Sequence, residues 1–460
     1  MEPRGVDRYD QKIVDNPELS FHPEAAKRFD ERTRDILATI QGLRLVPNSE
    51  ASRADLHPAH VFQSADVISA PKFTFHLDEA GEVVGVTWKS ENMWVGWTGE
   101  AFQPVKSLVE DIASKKPFSQ LVSARFLLEE VCNWLSETLA RTRDDHICQY
   151  IAGKSIEAVE DCEIWVPLFQ TYSSKTFKIA DVEFKTFTHE IMEEWWNRRP
   201  AQARQDKLAE SGLNRIRSEL QGLLAASVRV CAERYKAAQI AYEKADNATS
   251  LLRFLAPANL NSRLISCCRP LARGAVFEVT KVFMNGGRIG SISRGVINNR
   301  NTAWHLDESV ALRPGLLENI QRLASDSSTP FSSALYDALI LYSRQPLAID
   351  VADKLVFTLS ALESMLLKDG NESIQQNLGE RMAFLIGQNS QERMDIVKNV
   401  REVYGIRSAF VHHGETPRHV SIVDKFLVYA WTTFSRLMDL SVQYKTKAAL
   451  IGALDDRKMS

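Results

Sequence analysis

At 460 residues the chain is too long for one ordinary hydrophobic core, so two or three domains are expected. A hydrophobic content of 44% and a charged content of 25% exclude a disordered or fibrous chain, and a net charge of −3 excludes recruitment of nucleic acid by a global basic field. No apolar run approaches the ~20 residues that span a bilayer. The first residues lead into no secretory signal, and none of the six cysteines sits in a C-x-x-C pair. A cytoplasmic, reducing location without a membrane partner is the expectation.

Residues 1–60 read as an N-terminal arm and linker. Ala25, Phe29, Ile36, Leu37 and Ile40 give the spacing of an amphipathic helix over 22–43, and Pro47, Asn48, Ser49 and Pro58 mark the linker. His57 and His60 have the spacing of half a metal site, but the linker setting argues against a metal, and none is expected. Residues 61–190 form a mixed α/β, sensor-like domain. Phe73, Phe75 and Leu77 alternate with polar neighbours as in a half-buried strand, Asp78–Gly81 turns the chain into Val83–Trp88, and Trp94–Trp97 forms a third strand. Trp88, Trp94 and Trp97 suit either a sheet core or an aromatic ligand cage. One helical stretch is expected over 104–141, with strands over 163–169 and 176–188.

Residues 191–329 read as a connecting region of long helices plus a β-hairpin. The apolar series Val228, Val230, Ala232, Tyr235, Ala238, Ile240, Ala241, Ala245 and Leu251 is assigned to a helix within 190–255. Asn285-Gly286-Gly287 turns a hairpin between 276–283 and 288–297. Residues 330–460 form an all-α bundle with about five helices, at 330–344, 347–368, 373–387, 391–413 and 420–444. Leu355, Leu359, Leu362 and Leu366 fall on one helical stripe, as do Val423, Phe426, Ala430, Phe434 and Leu437. The fold class is therefore α+β.

The residues closest to working chemistry lie at the end of the 391–413 helix, where Arg407 is followed by His412 and His413. Arginine offers a permanent charge and a forked donor set suited to phosphate, and histidine exchanges a proton near neutral pH. On a regular helix Arg407 and His412 point about 140° apart, so one helix does not unite them. Either the last turn unwinds before Gly414, or two copies of the helix meet and the site is composite. Tyr404 lies one turn before Arg407, where it could stack on a base or pack in the core. Glu363 could orient Arg407 or simply face solvent. Arg381, Arg393, Lys398 and Arg401 could line an RNA groove, although Glu392, Asp395 and Glu402 interleave with them as in a solvated, salt-bridged face. Over 331–460 there are 15 Lys and Arg against 15 Asp and Glu, so RNA affinity must arise from a local groove.

Arg407-x4-His412 resembles the R-x4–6-H motif of HEPN domains. With Ala361-Leu362-Glu363-Ser364, Arg381, Tyr404-x2-Arg407-Ser408 and His412-His413-Gly414-Glu415, the stretch from about 330 to 445 resembles the Apea-like HEPN subfamily. The resemblance implies a helical domain that homodimerises across this groove and a metal-independent endoribonuclease that needs no cofactor. Arg407 and His412 would be catalytic, supported by His413, Glu363, Ser408 and Tyr404, with Arg381 and Arg401 contacting RNA. It further implies antiviral defence or growth arrest by RNA cleavage, with tRNA a candidate target and a phage-derived component a candidate trigger. Ser408 stands where many active members carry Asn, Asp or His. The alternative is a non-catalytic HEPN module that dimerises and binds RNA or nucleotide.

Overall fold

The computed structural model describes residues 19–39, 41–43, 73–90, 93–116, 118–140, 142–143, 145–198, 207–271, 278–285, 288–296, 303–326, 328–368, 372–413 and 420–459. The chain forms two compact units, Met1–Cys162 with Val230–Ile240, and Glu163–Arg229 with Ala241–Ser460. The divisions read from sequence after 190 and after 329 both fall inside the second unit. The fold mixes helices with small sheets, as the α+β reading expects. No helix among the described residues is long and apolar enough to cross a membrane.

In the first unit, helix α1 (Pro23–Ala38) is followed by an antiparallel sheet of β1 (Gln41–Leu43), β2 (Thr74–Leu77), β3 (Val83–Ser90) and β4 (Met93–Thr98), in the order β1-β4-β3-β2. The helix expected to reach residue 43 ends at Ala38, because Gln41–Leu43 instead pairs with Trp94–Gly96 of β4. Gly96 is required there: a Cβ would lie 2.1 Å from the Val86 carbonyl oxygen on β3. Trp88 and Trp97 are buried and pack on each other, centroids 5.4 Å apart, so these two tryptophans serve the core. The Trp97 Nε1 also donates to the Ile36 carbonyl at 3.2 Å.

The helical stretch expected over 104–141 breaks into α2 (Gln103–Ala113), α3 (Phe118–Leu121) and α4 (Ala124–Leu139). Ser123 is extended, and its hydroxyl accepts from the Phe126 N–H, which starts α4 afresh. Helix α5 (Ile147–Ala158) was not anticipated. The buried Glu233 carboxylate closes this unit. It accepts from the Ser123 N–H and hydroxyl at the head of α4, and from the Tyr235 and Lys236 N–H groups further along its own segment.

The second unit carries a sheet of order β5-β9-β8-β7, from β5 (Glu160–Pro167), with β6 (Thr171–Tyr172) set apart, then β7 (Phe177–Ile179), β8 (Val182–Thr186) and, after helices α6 (His189–Asn197) and α7 (Lys207–Leu220), β9 (Leu224–Ala232). The last strand corrects the sequence reading. Val228, Val230 and Ala232 belong to a strand in which they are buried and alternate with exposed Arg229 and half-buried Cys231, a period-two run too short to stand out between the buried Leu224–Ser227 and the alanine-rich helix α8 (Arg234–Leu252) that follows. Strands β10 (Glu278–Asn285) and β11 (Arg288–Val296) form the expected hairpin, with Asn285 paired to Arg288; its two turn glycines lie outside the described residues. Strand β12 (Trp304–His305) pairs in parallel with β6, and helices α9 (Leu306–Leu312) and α10 (Leu316–Ser325) follow, both unforeseen.

The bundle comprises α11 (Pro330–Tyr342), α12 (Val351–Leu366), α13 (Ile374–Ile386), α14 (Ser390–His413), α15 (Val420–Leu440) and α16 (Lys447–Met459), the last unforeseen. Leu355, Leu359, Leu362 and Leu366 of α12 are fully buried, as are Val423, Phe426, Ala430, Phe434 and Leu437 of α15. Each such large side chain contributes about 1.5–3 kcal/mol. A three-residue connection folds α14 back on α13. At its start a Cβ on Gly387 would lie 2.7 Å from the Ala383 carbonyl oxygen and 2.8 Å from the Arg393 Cγ, so only glycine fits.

Candidate functional site

Helix α14 puts Tyr404 and Arg407 one turn apart, on the side that meets Glu363 of α12. The Tyr404 hydroxyl donates to Glu363 Oε1 at 2.7 Å, and the same oxygen lies 3.9 Å from Arg407 Nη1. Burial, and then the hydrogen bond to the Glu363 carboxylate, push the Tyr404 phenol well above its usual range, so it acts as a fixed neutral donor. Arg407 remains 35% exposed, yet its Nε is buried without a hydrogen-bond partner among the described residues. The pairing with Glu363 is therefore loose, and the guanidinium keeps donors to spare. Tyr404 is half-buried, with its hydroxyl committed to Glu363.

His412 and His413 are exposed, with ring centroids 6.5 Å apart. Helix α14 continues through His413, so the chain does not unwind before either histidine; Gly414 and Glu415 lie outside the described residues. Among the described residues no hydrogen bond or ion pair joins Arg407 to His412 or His413. One chain thus unites Glu363, Tyr404 and Arg407 and leaves both histidines apart from them.

The exposed surface of α14 has its own order. Met394, Lys398, Arg401, Gly405, Ser408 and His412 are all exposed, at alternating steps of four and three. They form one exposed, mostly polar seam with a 3.5-residue repeat. Among the described residues, a Cβ on Gly405 would meet nothing within 4 Å beyond its own stretch of helix backbone.

Arg381 is corrected most sharply. Expected to touch RNA, it is only 1% exposed, and all five of its N–H bonds are spent. Nη1 donates to Glu372 Oε2 and to the Leu366 carbonyl, both at 2.7 Å, and Nη2 to Glu372 Oε1 at 2.8 Å. Nε and Nη2 reach the two Asp455 oxygens at 3.1 Å. No donor is left for a phosphate. The hydrogen bonds from Arg381 hold the carboxyl groups of Glu372 and Asp455 far down, each at about 2. Both acids escaped the sequence reading: Glu372 lies in a loop, and Asp455 is 74 positions along the chain, on the unforeseen α16.

Arg401 is exposed and lines a groove of about 430 Å³ between α13 and α14, with Glu380, Ala383, Phe384, Arg393 and Lys398 among its walls. His57 and His60 lie outside the described residues. Comparison with known proteins returned no match: no family model, no characterised protein and no solved structure matches this chain.

Proposed function

We propose that the helical bundle is a HEPN-type endoribonuclease acting in antiviral defence or growth arrest, with a composite site formed by two copies of α14. The observation that carries the reading is the partly exposed Arg407, held loosely by a Tyr404-braced Glu363 on the helix that also bears the exposed His412. In the reaction the RNA 2′-hydroxyl attacks its own neighbouring phosphate. His412 exchanges a proton as general base or acid, and Arg407 stabilises charge growing on a phosphoryl oxygen. The P–O5′ bond breaks, leaving a cyclic phosphate and a 5′-hydroxyl end. The nucleophile belongs to the RNA, so the mechanism calls for no metal, and DNA, which lacks that hydroxyl, is not cut. The small exposed residues Gly405 and Ser408, on the seam that ends at His412, would let a second α14 approach closely enough to bring its Arg407 toward this histidine.

Total RNA, tRNA included, incubated with protein in EDTA tests the chemistry. Wild type should cut. Arg407→Ala should lose about 10²–10³-fold in rate, and His412→Ala about 10²–10⁴-fold. Mixing the two variants tests the composite site: random pairing into a two-fold dimer restores one intact site in half the dimers, about a quarter of wild-type activity. No restoration excludes the composite site, and no cleavage by wild type, with or without phage components, removes the nuclease. The second reading is a non-catalytic HEPN module that dimerises and binds RNA or nucleotide. Ser408 and the existing Glu363 contact of Arg407 favour it, and equal RNA retention by all three proteins without cleavage would establish it.

A further inference from the structure

The groove between α13 and α14 is built from groups the proposed chemistry does not use. Its floor is apolar, from Ala383, Phe384, Met394 and Val397, and its cationic rim is Arg393, Lys398 and Arg401. The one carboxylate in the wall, Glu380, is already engaged: Oε2 takes Lys458 Nζ at 2.6 Å and Oε1 takes Gln376 Nε2 at 2.9 Å. The acids that alternate with the cations in sequence do not line the groove. Glu392 accepts from the Gln388 N–H and the Asn389 amide, and Asp395 from the Gln391 amide. Among the described residues, Lys398 and Arg401 make no ion pair. Arg393 is braced, its guanidinium 4.6 Å over the Phe384 ring and its Nε on the Gly387 carbonyl at 3.3 Å. A wall with three cations and no uncommitted carboxylate, in a bundle of balanced charge, is a local trap for an anionic chain, and the apolar floor suits flat bases.

We infer that this groove holds a single-stranded stretch of RNA flanking the bond to be cut, with phosphates on Lys398 and Arg401 and a base over the Phe384–Met394 floor. The assignment to RNA rests on the nuclease reading. Lys398 and Arg401 share the exposed seam of α14 with His412, and Arg401 lies eleven positions upstream, about 16 Å along the helix axis. At about 3.4 Å or more per nucleotide, that is no more than about five nucleotides from the scissile phosphate. An acidic peptide would satisfy the cations but offers no flat base to the apolar floor.

The test uses full-length protein carrying His412→Ala, which does not consume its ligand, and a fluorescein-labelled single-stranded RNA dodecamer read by anisotropy. Adding K398E and R401E should weaken binding at least about tenfold and reduce the slope of log affinity against log salt by about 1.4, two single-strand phosphate contacts. K398Q with R401Q, exposed changes neutral toward the helix, should lose the same salt slope, with an unchanged thermal midpoint showing that the fold is intact. In the catalytically intact protein, the same pair should raise KM for the dodecamer. Unchanged binding and KM in a wild type that cuts would overturn the groove and spare the nuclease. Charge-dependent binding by a wild type that never cuts would support the groove and sink the nuclease. Equal, equally charge-dependent binding of a poly-glutamate dodecamer would overturn the assignment to RNA.

Discussion

Two arginines of the same helical bundle have opposite fates. Arg381 is sealed between α13, α16 and the loop bearing Glu372, and each of its donors meets an acceptor. Arg407 is one-third exposed and, among the described residues, touches one carboxylate at 3.9 Å and carries a buried Nε with no partner. A guanidinium whose hydrogen bonds are all made is a structural tie; removing one of its partners leaves a buried charge uncompensated. One held loosely on one side retains donors for something that arrives later. The difference separates the two roles more clearly than the residue type or the local sequence does.

The contrast can be broken most forcefully at Arg381. Arg381→Met leaves Glu372 and Asp455 without their shared cation and should cost about 3–5 kcal/mol in urea unfolding, the usual cost of halving a buried ion pair. If the folded fraction also fails to bind RNA, the purely structural role is refuted. Arg407→Ala should do the reverse. Its stability cost should stay within about 1 kcal/mol, the worth of a partly exposed pair, while RNA cleavage falls by the two to three decades expected above.

Acid sharpens the same point. The carboxyls of Glu372 and Asp455 sit at about 2 when folded, against about 4.3 and 3.9 in an unfolded chain. Their contribution is complete above about pH 4.5, declines as the pH falls, and is gone once the pH has passed through about 2. Unfolding free energy measured from pH 5 down to 2 should drop steeply in wild type and more gently in Arg381→Met. Parallel curves would detach the two depressed carboxyls from the arginine. Tyr404→Phe is the mildest intervention, removing one hydrogen bond to Glu363 at about 1 kcal/mol. It should reduce cleavage less than Arg407→Ala does, and an equal reduction would make the phenol a partner in the chemistry.

What the sequence revealed depended on period and range. The leucine stripe of α12 and the apolar stripe of α15 were legible because one face of each helix is buried and the apolar positions recur every three or four residues. Strand β9 was hidden, since Leu224–Val228 is buried without a break and only Val228–Ala232 alternates, a run too short to separate from the apolar helix that follows. Around the site, Glu363, Tyr404 and Arg407 could be connected through helical spacing and the family resemblance. The fate of Arg381 could not, because its partners lie on a loop and on a helix that no pattern tied to it. The groove was legible only in part: its cations stand out in the sequence, but so do Glu392 and Asp395, and only their hydrogen bonds show that those acids are occupied elsewhere.

The segment around Glu233 decides how this protein can be taken apart. Residues 230–240 belong with 1–162, although the chain has already entered the second unit and re-enters it afterwards. A fragment stopping at 162 would lose the carboxylate that holds Ser123, the cap of α4, and one starting at 163 would carry a stretch whose proper neighbours are missing. Bisecting the gene at that boundary should yield two poorly behaved polypeptides. Separate expression of the two units calls for grafting 230–240 onto the first and bridging the gap in the second.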